Sequence, residues 1–153
     1  MSPAIAFHFN VPASPQAYLC RLLRKASLAG LRSWVLLPQD LLRPLDEALW
    51  TFSAEDFIPH AVCGIAPPAQ WRRAAVVLSD GAMPEPGAGV SVLVNLLPAV
   101  PSGFEGFQRL IEVVPEDDAL KAAARQRWRH YTGLGYTIER HDVAQLAQRL
   151  QER

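Results

Sequence analysis

Phosphate-cradling glycine loops are missing from this chain. Neither G-x-G-x-x-G nor G-x-x-x-x-G-K-[ST] occurs in its 153 residues, so backbone amides are not laid out in either spacing that holds a nucleotide's phosphates. No G-x-S-x-G elbow exposes a serine nucleophile. Cysteine is scarce: Cys20 and Cys63 stand in no metal or redox spacing, and two reduced, buried thiols in a cytoplasmic protein are expected. The N-terminal MSPAIAFHFN has neither the basic start nor the apolar core of a signal peptide. The long uncharged run near the middle, residues 86–104, is broken by Pro86, Gly87, Gly89, Asn95, Pro98, Pro101 and Gly103, which excludes a membrane-spanning helix there. Net charge is absent too. Fifteen basic residues balance fifteen acidic ones, which argues against direct binding of nucleic acid, where several cations must act together to release counterions.

What is present describes a globular protein. Half the residues are hydrophobic and one fifth are charged, enough for one domain over residues 1–153 with its own core and with 142–153 as a polar helical tail. Residues 4–9, AIAFHF, read as a strand, and Pro15 precedes a helix in which Leu19, Leu22, Leu23 and Ala26 fall at helical spacing before Gly30 closes it. SWVLLP (33–38) reads as a buried strand parallel to the first. Pro44 is expected to open a short helix as its first residue, and 51–60 to be irregular. Two further strands are expected at 72–80 and 89–96, and a helix capped by Ser102 from there to about Val113. The longest helix follows from Pro115 to Gly133, and 136–141 forms a last strand. Alternating strands and helices make the fold α/β, a Rossmann-like (mononucleotide-binding) sheet flanked by helices.

Such a sheet usually takes ligands beyond the carboxyl ends of its strands. His8 and Asn10 end the first strand and are the candidate groups of an alternative reading, a small nucleotide-binding enzyme, although a strand-end histidine more often serves only to complete local hydrogen bonds. His60 and Cys63 share an H-x-x-C spacing, yet a closed zinc site needs four ligands and no second cluster follows. No metal and no cofactor is expected. Ser79-Asp80 reads as turn chemistry.

The stretch PEDDALKAAARQRWRHY (115–131) is more informative. From Lys121 to Arg129 it carries four cations and no acid, where a solvated helix would interleave signs. At about 100° per residue, Leu120, Ala124, Arg127 and Tyr131 share one stripe, the expected core side, with the Arg127 head reaching out to water. Lys121, Arg125, Trp128 and Thr132 share the neighbouring stripe at the core's boundary. An ammonium, a guanidinium and an indole along one flank suit a ligand carrying both an anion and an apolar ring.

Two blocks, LDEALWTFSAEDFIPH (45–60) and VVPEDDALKAAARQRWRHYTGLGY (113–136), resemble the corresponding stretches of the chi subunit of bacterial DNA polymerase III, a clamp-loader accessory protein. The resemblance extends over nearly the whole chain and is least at 64–90 and from 142 onward. It implies a noncatalytic adaptor of DNA replication, monomeric alone and heterodimeric with the psi subunit. One surface would bind psi. Another would bind the acidic C-terminal tail of single-stranded DNA-binding protein, which ends in aspartates, a proline and a terminal phenylalanine. Carried over by position, Arg125 would grip the terminal carboxylate, Lys121 would add a second cation, and Val114 and Trp128 would line the slot for the phenyl ring. Trp128 departs from the tyrosine frequent in the family. Arg129 and Arg140 are inferred from charge to meet the upstream aspartates. Trp50, Phe57 and Pro59 would face psi, on a surface that an accessory helicase also uses in the family. No direct contact with nucleic acid or membrane is implied.

Overall fold

The computed structural model describes residues 3–52, 58–65, 68–84 and 88–145. Its centre is one seven-stranded sheet formed by β1 (Ala4–Val11), β2 (Ser33–Leu36), β3 (His60–Val62), β4 (Val76–Ser79), β5 (Val92–Asn95), β6 (Arg109–Pro115) and β7 (Ile138–Asp142), in the order β3-β4-β2-β5-β6-β1-β7. Every pairing is parallel. The helices α1 (Gln16–Leu28), α2 (Gln39–Thr51), α3 (Pro68–Arg73) and α4 (Asp118–Gly133) supply the cover. Strands β2, β4 and β5 are buried along their whole length, as expected where helices cover both faces of a parallel sheet. Leu19 and Leu23 of α1 and Leu45 and Leu49 of α2 pack on one face; Ala124 and Tyr131 of α4 pack on the other.

The α/β expectation holds, as does the parallel course of β1 and β2, which have β5 and β6 between them. Several local expectations are corrected. Pro44 does not open α2; it sits inside a helix that starts at Gln39. There it costs the bond that an amide would have made to the Asp40 carbonyl. The strand expected from residue 72 starts at Val76, because Arg72 and Arg73 finish α3. His60 opens the edge strand β3 in a stretch expected to be irregular. Cys20 is buried as expected, whereas Cys63 is only half-buried, and both thiols are free.

The largest correction lies at 102–113, where a helix was expected. Only a single 3₁₀ turn forms at Phe104–Gly106, after Gly103 in the left-handed region, and then β6 runs between β5 and β1. Leu110, Ile111, Val113 and Val114 are apolar and mostly β-branched, which suits a central strand buried on both faces. What misleads is Ser102 with Glu105 three residues on, a helix-cap spacing that here frames only the 3₁₀ turn; Glu112, in the strand that follows, is fully buried.

Burial pushes the Glu112 carboxyl up, and the Arg127 charge beside it, with hydrogen bonds from Tyr131 and Asn95, works against that rise. Arg127 Nε donates to Oε1 at 3.1 Å, Asn95 Nδ2 donates to the same oxygen at 2.9 Å, and the Tyr131 hydroxyl donates to Oε2 at 2.6 Å. Arg127 Nη1 also reaches the Pro98 carbonyl at 3.1 Å. The guanidinium expected to extend into water is therefore 5% exposed. Two charges in the interior need this many partners because each loses its water.

On the opposite face of β1, His8 is 9% exposed, hydrogen-bonded through Nδ1 to the Tyr18 hydroxyl, with its ring 4.6 Å from that of His141 and the two planes tilted at 43°. Burial first, then the nearby His141 and Lys25, lowers its pKa from 6.5 to about 4.

Two measurements test these features. Arg127→Ala strands a buried carboxylate, and urea unfolding should show a loss of about 3–5 kcal/mol; a loss near zero rules out a charged Glu112 in the core. His8 has a folded pKa below its unfolded one, so stability is complete above pH 6.5 and falls as pH drops toward 4. Between pH 7 and pH 5 this group should cost about 2 kcal/mol, and most of that difference should vanish in His8→Asn.

Candidate binding cleft

The sheet is wider than its cover. β7 extends it past β1, and a cleft of about 570 Å³ opens between the flank of α4 and the edge strands β1 and β7. Its walls are Phe7, Phe9 and Asn10 of β1, Val114 of β6, Arg140 of β7, and Lys121, Ala124, Arg125, Trp128 and Arg129 of α4. Val114, Lys121, Arg125, Trp128, Arg129 and Arg140, which the resemblance and the charge pattern single out, thus line one concavity.

Local chemistry sets the helix in place. The Asp117 side chain caps α4 by accepting from the Leu120 amide at 2.9 Å, and an acid there also suits the helix dipole. With Ala124, Arg127 and Tyr131 buried, the stripe of Lys121, Arg125 and Trp128 turns toward β1 and β7. The Trp128 ring meets the Phe7 ring edge-on, with centroids 5.1 Å apart and planes at 64°. Arg140 pairs in register with Phe7, and its guanidinium carbon lies 5.3 Å from the Phe9 centroid and 5.8 Å from that of Trp128. A guanidinium between two ring systems is held by cation–π attraction while its donors stay free for an anion. Lys121 Nζ lies 2.7 Å from Glu116 Oε2. Arg125 and Arg129 are exposed. Among the described residues neither has an ion pair with an acid. The cleft can therefore take an apolar ring against Phe9 and Trp128 and a carboxylate against Arg125.

Phe7 and Phe9 escaped the sequence reading, which named Asn10 only as a candidate of the nucleotide-binding alternative. The alternation in AIAFHFNV places Phe7 and Phe9 on one face, but nothing local tells which helix covers that face.

A second feature lies at the other edge of the sheet. Trp50, at the end of α2, is 58% exposed, with its ring 4.8 Å from that of His60, and Pro59 is exposed beside it in β3's approach. Ile65 just beyond β3 is 83% exposed. Phe57 lies outside the described residues.

The catalytic and metal candidates are engaged in local structure. Asn10, with φ 57°, donates through Nδ2 to Asp142 Oδ1 at 3.0 Å, which holds the Asp142 carboxyl below its usual range. His8 is bound to Tyr18 as above. His60 Nδ1 contacts the Ile58 carbonyl at 2.8 Å, and Nε2 lies 3.1 Å from Asp46 Oδ1. The Ser79 hydroxyl donates to the Ala82 carbonyl and accepts from the Gly81 amide, the turn chemistry expected of it. Among the described residues no helix is long and apolar enough to cross a membrane.

Comparison with known proteins agrees over most of the chain. Residues 2–139 match the family model described as DNA polymerase III chi subunit, HolC. The DNA polymerase III subunit chi of Pseudomonas aeruginosa is 32% identical over 146 residues, covering 93% of this chain and 98% of that protein. The subunit chi of Escherichia coli is 31% identical over 94 residues, 61% of each chain. That of Haemophilus influenzae is 29% identical over 99 residues, covering 65% of this chain and 66% of its own. The chain belongs to the DNA polymerase III chi subunit family.

Proposed function

We propose that this protein is a noncatalytic adaptor of the DNA polymerase III holoenzyme, cytoplasmic and monomeric alone, that binds the acidic C-terminal tail of single-stranded DNA-binding protein in the cleft beside α4. The observation that carries this reading is the convergence of Lys121, Arg125, Arg129 and Arg140 around the rings of Phe9 and Trp128 in one cavity. A chain-terminal phenylalanine offers a carboxylate and a ring on the same residue. Arg125 suits the carboxylate because its planar fork can bind both oxygens, the ring fits against Trp128, and Arg129 and Arg140 remain for the aspartates upstream. Contacts of this kind weaken with salt, and a coat of many tails compensates through multivalency.

A second surface, for the psi subunit, is supported by the exposure of Trp50 and Pro59. A half-exposed indole beside an exposed proline is the kind of apolar patch that a partner covers. Phe57 would join it.

Calorimetric titration with an acidic peptide ending in Pro-Phe tests the first reading. Arg125→Ala should lose at least about tenfold in affinity, the cost of removing one partner of a charge-assisted pair, with an unchanged melting temperature; undiminished binding rejects the assignment. Bare single-stranded oligonucleotide should give no heat. For the second surface, Trp50→Ala should weaken binding of psi by about tenfold, as hot-spot aromatics do, and leave the peptide titration as in the wild type. Equal loss of both activities would mean that the two surfaces are not separate.

A further inference from the structure

The four cleft cations are not equivalent. Lys121 lies 2.7 Å from Glu116, whereas among the described residues Arg125, Arg129 and Arg140 have no carboxylate within ion-pair distance. Glu116 is not free to leave. Its amide donates to the Val11 carbonyl at 2.8 Å, next to the final rung between β1 and β6, and Asp117 caps α4 immediately after it. The backbone therefore holds this carboxylate beside the cleft while its side chain remains 44% exposed and that of Lys121 33% exposed. An acidic ligand that takes Lys121 must separate this pair, and its own carboxylate then stands close to that of Glu116. Both effects oppose binding, and both scale with the ligand's negative charge.

Building on the tail-binding reading above, we propose that Glu116 is an affinity-setting residue, an internal competitor for Lys121 that limits how tightly the cleft holds a polyacidic chain end. A ligand with one carboxylate and a ring binds through Arg125 and leaves the Lys121–Glu116 pair intact. A ligand with further acids gains Lys121 only by displacing Glu116. Each contact with a tail is thereby kept weak and quickly reversible, which suits a protein that must move along a coat presenting many equivalent tails.

The test compares the wild type, Glu116→Gln and Arg125→Ala by calorimetry, using an acidic peptide ending in Pro-Phe and the same peptide with asparagine in place of every aspartate. Glu116→Gln should tighten the acidic peptide roughly threefold to tenfold at low salt, with the gain lost near about 0.5 M salt, as for exposed charges. The asparagine peptide should change less than about twofold, because only the charge of the ligand is at issue. Circular dichroism should show the same fold, Glu116 being exposed and outside the helix. Unchanged or weaker binding of the acidic peptide by Glu116→Gln, with Arg125→Ala still defective, overturns the competitor role and leaves the tail-binding reading standing. Equal tightening toward both peptides also overturns it, since that would reflect a change of shape. If the wild type ignores the acidic peptide, or Arg125→Ala binds it normally, the reading of the cleft fails and this inference with it.

Discussion

A carboxylate in the middle of a central strand has to be matched from somewhere, and the match for Glu112 comes from α4. Arg127 and Tyr131 lie one turn apart on that helix and donate to Glu112 Oε1 and Oε2 respectively, while Asn95 approaches Oε1 from β5. Such a cluster adds little net stability, because desolvation offsets most of the attraction. Its effect is on orientation. With positions 127 and 131 pinned inward, the helix cannot rotate about its axis, and Lys121, Arg125 and Trp128 are set toward β1 and β7. The cleft is thus a consequence of a polar contact that lies outside it.

The cleft exists because the parallel sheet outgrows its helical layer on this side. α4 covers β7 only in part, and Arg140 of β7 fills part of the remaining gap by lying against Phe9 and Trp128. The edge-on contact of Trp128 with Phe7 holds the indole upright. Aromatic packing, rather than hydrogen bonding, therefore shapes the apolar part of the site, and the charges stand around its rim where water still reaches them.

The order of the strands also separates the two surfaces. Trp50 and Pro59 lie by β3 and the cleft lies by β7, at opposite edges of seven strands. Six spacings at about 4.8 Å each put them about 29 Å apart along the sheet. On the proposed reading, a partner at one edge leaves the other clear, which is what an adaptor needs.

Much of this was legible without coordinates where neighbours along the chain decide the outcome. The strand at AIAFHF, the helix closed by Gly30, and the basic flank of the long helix follow from periodicity and capping, which act within a few residues, although that helix starts at Asp118 and the expected first residue, Pro115, ends β6. The basic flank itself was visible as four cations without an acid. The stretch from 102 to 113 was not legible, because Ser102 with Glu105 three residues on has the spacing of a helix cap, and only the pairing of Arg109–Pro115 between β5 and β1 makes the segment after the turn a strand. The same holds for Phe7 and Phe9: their common face can be read from alternation, but the helix opposite depends on strand order. Sequence alone determined which residues share a helix flank and that this flank is cationic. Tertiary structure decided that the flank faces two phenylalanines and Arg140 across a cavity, since strand neighbours are chosen by packing between segments more than a hundred residues apart, as in the β1–β7 pairing.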